Sequence, residues 1–108
     1  MARTAKKTRA GLRELESRAG DAAELMKLLS NDQRLIILCR LSDGELSVSE
    51  LGEHVHLAQS ALSQHLAKLR AHGVVATRRE GQNIHYRVAS PNAQKLVGAL
   101  CELYGGKR

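Results

Sequence analysis

Two thiols, a few imidazoles and one stretch of amides and hydroxyls are the side chains here that could do chemistry. Cys39 in "LIILCRL" and Cys101 in "LVGALCEL" both sit inside apolar helical patterns, where a free cysteine behaves as a small hydrophobe. They are not arranged as the spaced framework of a secreted disulfide scaffold. His54 and His56 stand two apart, a spacing that does not share a helix face, so they read as surface side chains rather than zinc ligands. No nucleophile, base and orienting group fall together, no carboxylates pair in an apolar setting, and no glycine loop is built to cradle phosphate. The chain does not read as an enzyme, and no cofactor is expected.

What remains is hydrogen bonding. In "QSALSQHLAKLR", Leu62, Leu66 and Leu69 fall at i, i+4 and i+7 on one stripe, while Ser60, Ser63, Gln64 and Lys68 look the other way. No acidic residue occurs between Glu53 and Glu80. A helix facing only water would mix glutamate with its lysine. A phosphate-lined major groove repels carboxylates, and its floor offers donors and acceptors that Gln, Ser and Lys can pair with. Gln59, Ser60, Ser63, Gln64 and Lys68 are therefore the candidate contacts to double-stranded DNA, with Ala61 set to touch a thymine methyl and Ser47, at the head of the preceding helix, added to the set. Arg70 points toward the apolar flank and is left out.

The elements that must hold this helix are legible in the rest of the chain. Its 108 residues make room for one core, and only two tyrosines supply aromatic bulk, so a partner chain is expected to complete that core. The formal charge of +6 calls for a polyanion, either nucleic acid or an anionic membrane. No stretch approaches a membrane span and no signal-peptide run follows the basic start, so a cytoplasmic protein without a membrane partner is expected. Residues 1–10 read as a disordered basic arm and residues 11–108 as the folded domain. "DAAE" from Asp21 to Glu24 has capping-box spacing and is expected to start a helix after Gly20, with Leu25, Met26, Leu28 and Leu29 buried. "NDQRLIILCRL", capped by Asn31 or Asp32, is apolar almost all round and marks the central helix.

Ser47 and Glu50 repeat the capping-box spacing at the start of a short helix ending near Val55, with Gly52 placed for a close helix crossing. A turn and the polar helix from Gln59 to Ala71 follow, which is the outline of a helix-turn-helix. "VVATRREGQNIHYRV", Val74 to Val88, reads as a hairpin turning at "EGQN", with Ile84, Tyr86 and Val88 inward, His85 and Arg87 outward, and Arg78, Arg79, Gln82 and Asn83 at a basic, amide-rich tip. Arg78, Arg79 and Gln82 are the candidate contacts of this wing. Ser90 and Pro91 open a last helix whose stripe of Leu96, Ala99, Leu100 and Leu103 has little left to cover it and suits a subunit interface. The fold class is mainly α with a small β-hairpin wing (α+β), a winged helix-turn-helix.

"NDQRLIILCRL", "ELSVSELGEHVHLAQSALSQHLAKLRAHGVV", "ATRREGQNIHYRV" and "LVGALCELYGG", in that order from about Asp21 to Gly105, resemble the ArsR/SmtB family of winged helix-turn-helix repressors. Within it, the chain looks like the branch of nodulation, haemolysin-gene and biofilm regulators. The resemblance implies a homodimer held by the first and last helices, repressing from an imperfect palindrome in promoters. His56 falls where the turn of such sequences often has glycine, a position histidine tolerates at some cost. The cysteine-rich metal motif of the family is replaced by "ELSVSEL" and its last-helix zinc pattern is not reproduced, so no metal is expected.

Cys39 matches the first cysteine of the persulfide-sensing members. Their second cysteine falls at Gly105, four residues after Cys101, a displacement of one helical turn or about 6 Å. Because a disulfide needs Cα atoms within roughly 7 Å, that displacement is expected to hinder pairing unless the helix shifts. Two readings of Cys39 and Cys101 stay open: buried hydrophobes in a non-sensing global repressor, or a thiol-redox pair. A general nucleic-acid-binding protein for RNA or DNA architecture is the alternative of another class. With Tyr86 inward and Tyr104 in the last helix, it has little stacking platform for single strands.

Overall fold

The computed structural model describes residues 2–105, with side chains from Ala10 onward. It divides at Ser30–Asn31 into two compact units. The first holds α1 (Ala2–Ser17) and α2 (Ala19–Leu29). α1 takes in the backbone of residues 2–10, the stretch that reads from the sequence as a basic arm. Alanine, lysine and arginine are good helix formers, so a lack of apolar period does not by itself prevent a helix. Side chains of residues 1–9 lie outside the described ones.

Asp21 does not cap α2. The helix begins two residues earlier with no side-chain cap, and Asp21 stands in its first turn, 3.6 Å from the Arg18 guanidinium. A carboxylate there suits the helix dipole as well as it suits a cap, which is why the spacing misled. Leu28 and Leu29 are buried as expected, whereas Met26 is exposed.

The second unit runs α3 (Asp32–Leu41), β1 (Leu46–Ser47), α4 (Val48–His54), α5 (Gln59–Ala71), β2 (Val75–Glu80), β3 (Asn83–Val88) and α6 (Pro91–Gly105). Asn31 starts α3: its Oδ1 accepts from the backbone N–H of Gln33 at 3.0 Å and of Arg34 at 3.1 Å. Two of the four orphan donors of the central helix are thereby satisfied. Asn31→Ala is expected to cost about 1 kcal/mol, which lowers Tm by roughly 4–8 °C in a domain of this size, as read by thermal unfolding. An unchanged Tm would mean that water replaces the cap without loss.

Ile37, Leu38 and Leu41 of α3 are buried and Ile36 is exposed, so this helix is central on one broad face but not all round. It packs on α4, α6 and β3. The core is completed by Leu51 and Val55 around α4, Leu62, Leu66 and Leu69 of α5, Val74 and Val75, and Ala93 and Val97 of α6. Ala93 and Val97 fall outside the stripe expected on α6. Leu96 and Leu100 are half-buried, while Leu103 and Tyr104 stand 75% and 86% exposed, an apolar helix end the described chain leaves uncovered.

The hairpin has a partner that periodicity does not show. β1 pairs antiparallel with β3, giving a three-stranded sheet in the order β1-β3-β2. Ser47 stands opposite His85 and Leu46 opposite Tyr86. Two residues are too few to display alternation. One consequence is that His85 lies in a central strand and is half-buried rather than outward. Glu80 pairs with Asn83, leaving Gly81 and Gln82 as the loop. Gly81 has φ +62° and Gln82 a negative φ, the pattern of a type II′ turn that needs glycine at its first position.

Candidate nucleic-acid interface

α4 is fixed at its start by a complete capping box. The Glu50 N–H donates to Ser47 Oγ at 3.1 Å, and the Ser47 N–H donates to Glu50 Oε1 at 2.8 Å. These bonds, the backbone one first, hold the Glu50 carboxyl below its ordinary value. A depressed carboxylate stabilises the fold above the unfolded value and loses that contribution as pH falls through the folded one. The Tm gap between the wild type and Glu50→Ala is therefore expected to stay constant from neutral pH to about 5 and to close only at lower pH. A gap that already narrows between pH 7 and 6 would contradict the assignment. Ser47, a candidate DNA contact, thus commits one lone pair of its hydroxyl to the cap and keeps its O–H to donate.

α4 packs on α5 through the turn at Val55–Ala58. No non-glycine residue has positive φ among the described residues, so His56 sits in the turn without the strain expected of it. A Cβ on Gly52 would meet nothing within 4 Å, so no close helix crossing depends on that glycine. α5 then buries Leu62, Leu66 and Leu69 at 1% exposure or less. Gln59, Ser60, Ser63, Gln64 and Lys68 are all exposed, and Ala61 is half-buried beside them. Arg70 is exposed as well, off the flank where the sequence placed it. The helix ends where Gly73 takes φ +74° and the Val74 N–H returns to the Leu69 carbonyl at 2.9 Å, turning the chain into the wing.

At the wing the two arginines divide. Arg78 is held by Glu45: Nη2 donates to Oε1 at 2.9 Å and Nε to Oε1 at 3.1 Å, with Glu80 3.8 Å from Nη1. The same fork holds the Glu45 carboxyl below its ordinary value and raises the Arg78 guanidinium. Arg78 therefore braces the residue before β1 against β2. Arg79 and Gln82 are exposed nearer the tip and are not engaged in this clamp. Sequence reasoning missed the clamp because its partners stand 33 residues apart. Glu45→Gln removes the competing carboxylate. It is expected to raise affinity for scrambled duplex and steepen its salt dependence by about one phosphate contact per subunit, read from binding isotherms across a salt series.

The two thiols also meet. Cys39 Sγ of α3 and Cys101 Sγ of α6 are 3.1 Å apart. The one-turn displacement of Cys101 does not keep them separate, because α6 packs on α3 with Cys101 beside Cys39. Among the described residues no group of three histidine, cysteine or acidic side chains is placed to hold a metal. No described helix is long and apolar enough to cross a membrane.

A short helix and a turn presenting a polar, carboxylate-free second helix beside a three-stranded basic wing define a DNA-binding transcriptional regulator of the winged helix-turn-helix class. The family model "Bacterial regulatory protein, arsR family" matches residues 31–77, and the chain belongs to that family. It is 46% identical to transcriptional activator HlyU of Vibrio cholerae over 86% of each chain. A solved structure of reduced HlyU from that organism superposes with a TM-score of 0.80, covering 85% of this chain and 97% of that one. Nodulation protein NolR of Rhizobium meliloti is 46% identical over 78% of this chain and 69% of its own. The transcriptional repressor BigR of Xylella fastidiosa has a TM-score of 0.81 at 40% identity, covering 88% of this chain and 97% of that one.

Proposed function

We propose that the chain acts as a homodimeric repressor on a palindromic promoter operator, with its DNA affinity lowered when Cys39 and Cys101 are oxidised. The observation that carries the DNA part is the outer face of α5: five exposed amide, hydroxyl and ammonium side chains with no carboxylate, over a leucine stripe that fixes the helix rigidly. In this reading Gln59, Ser60, Ser63 and Gln64 meet base edges, Lys68 meets phosphate, and Arg79 and Gln82 reach the backbone or the adjacent minor groove. Arg78 positions the wing through Glu45. A partner chromosome places the protein in the cytoplasm, and nothing in the chemistry calls for a metal.

Dimerisation is supported by the apolar side chains left exposed on the first and last helices, Leu12 and Leu15 on α1 and Leu103 on α6. Two copies of α5 about a twofold axis would enter major grooves roughly 34 Å apart. The relatives are named both as activator and as repressors. Repression is the simpler outcome of a small dimer occupying a promoter, since it needs no further contact. The thiol part is supported by the 3.1 Å approach of the sulfurs. A bond of about 2.05 Å would draw α6 onto α3, and a subunit interface on α6 would carry that movement to the spacing of the two recognition helices.

The test is a comparison at matched salt of an operator selected from random duplexes, a scrambled duplex and RNA, before and after oxidation. Preference for the selected duplex, weakened with the loss of two thiols, is expected. Equal affinity for all three would remove the operator, and unchanged binding by the disulfide form would remove the switch.

A further inference from the structure

A groove of about 860 Å³ opens directly onto the thiol pair. Leu35 and Ile36 of α3, Leu46 of β1, and Leu100 and Tyr104 of α6 give it apolar walls, with both sulfur-bearing residues in the lining. Arg40 and His54 are among its few polar members, together with Asp43. Hydrogen peroxide or a sulfide ion needs no such space. A water-sized molecule occupies roughly 30 Å³, whereas organic ligands fill sites of about 300–1,000 Å³ that are mostly apolar with a few placed polar groups.

The sulfurs add a second constraint. At 3.1 Å they need to close by about one ångström to bond directly, but an atom inserted between them, or a bulky adduct on one of them, would force α3 and α6 apart. The oxidant that fits both observations is apolar, and it takes two electrons without leaving any part of itself in the final disulfide product.

We propose that this groove binds an apolar organic hydroperoxide, R–O–OH, and delivers it to Cys39 and Cys101. This rests on the thiol-switch reading above and names its signal. One thiol, as thiolate, attacks the outer oxygen. The O–O bond breaks, the alkoxide takes a proton and leaves as R–OH, and the attacking sulfur, now bonded to the outer oxygen, becomes a sulfenic acid. Arg40 and His54, which line the same groove, are the groups available to meet the charge on the departing alkoxide. The second thiol then attacks the sulfenic sulfur, the S–S bond forms, and water leaves with the hydroxyl and the remaining proton. In sum, R–O–OH and two thiols give a disulfide, R–OH and water, with the peroxide reduced and the two sulfurs oxidised.

The experiment uses the reduced full chain on its selected operator. Cumene hydroperoxide, hydrogen peroxide and an organic tetrasulfide are added at equal concentration, with intact mass and DNA affinity followed in time. Cumene hydroperoxide is expected to form the disulfide, seen as a loss of two mass units, at least about tenfold faster than hydrogen peroxide. Ile36→Glu, which places a carboxylate on a 41%-exposed wall position, and separately Tyr104→Ala, at 86% exposure, are expected to bring the ratio of those two rates towards one. Equal rates in the wild type, or a ratio that neither variant changes, overturns the hydroperoxide site while leaving the switch intact. Faster reaction with the tetrasulfide and sulfur retained in the product overturn it in favour of sulfur transfer. A change of oligomeric state in both variants overturns it in favour of a groove covered by a second copy. A disulfide formed rapidly that leaves DNA affinity unchanged supports the site and defeats the switch, so the two readings fail separately.

Discussion

Gln64→Glu is expected to weaken binding to the selected operator by about a hundredfold or more while leaving the fold intact. Gln64 is exposed in the middle of α5, so the substitution touches no core contact. Glutamine and glutamate have nearly equal helix propensity, so the helix itself is indifferent. One lost base contact accounts for about 1–3 kcal/mol of discrimination. A dimer loses two, and each is replaced by a carboxylate facing phosphates. Gln64→Ala removes the contact without the charge and is expected to fall between the wild type and Gln64→Glu. The order is read by anisotropy titration at one fixed salt concentration, with circular dichroism as the check on folding. Wild-type affinity in Gln64→Glu would mean that α5 does not face the duplex.

The largest effect on stability is expected two residues further along the same helix, on its opposite face. Leu66 is fully buried, and Leu66→Ala is expected to cost about 2–5 kcal/mol, part transfer of the lost methyl groups and part the cavity left behind. Small domains are stable by about 5–15 kcal/mol, so this single change takes a large share of the total. Denaturant unfolding measures it directly: a lower midpoint with an unchanged slope is the expected signature. A cost below about 1 kcal/mol would mean that the leucine stripe does not anchor the recognition helix. The two substitutions separate the faces of α5, one acting on affinity with stability preserved and the other on stability first.

What was legible in the sequence is what local spacing dictates. Leu62, Leu66 and Leu69 repeat at helical intervals, Ser47 and Glu50 stand three apart, and "EGQN" carries the glycine its turn demands. α5, the α4 cap and the hairpin followed from these alone. What failed depends on contacts between distant segments. β1 is two residues long and exists because β3 offers it an edge, and His85 is half-buried for the same reason. Arg78 read as a free basic tip until folding brought Glu45 to it. The Cys39–Cys101 approach depends on where α6 crosses α3, which a count of residues along one helix does not give. Asp21 failed differently, since a carboxylate inside the first turn and one at the cap leave the same trace in sequence.

The site residues split along the same line. The amide and hydroxyl face of α5 is exposed as a set because one buried stripe orients all of it. The sequence puts Arg78, Arg79 and Gln82 together at one basic, amide-rich hairpin tip, yet the structure sorts them into a brace, Arg78, and an unclamped tip, Arg79 and Gln82. That division gives the wing a fixed angle against the sheet, which a phosphate contact at its tip requires if it is to set register instead of merely adding charge.

The most direct measurement is the salt dependence of operator affinity for the wild type and for Gln64→Ala combined with Arg79→Ala. The double variant is predicted to bind about a hundredfold more weakly, with the slope of log K against log[salt] shallower by about two, one phosphate contact per subunit. Affinity and slope both equal to those of the wild type would contradict a dimer that lays α5 in the groove and its wing on the backbone.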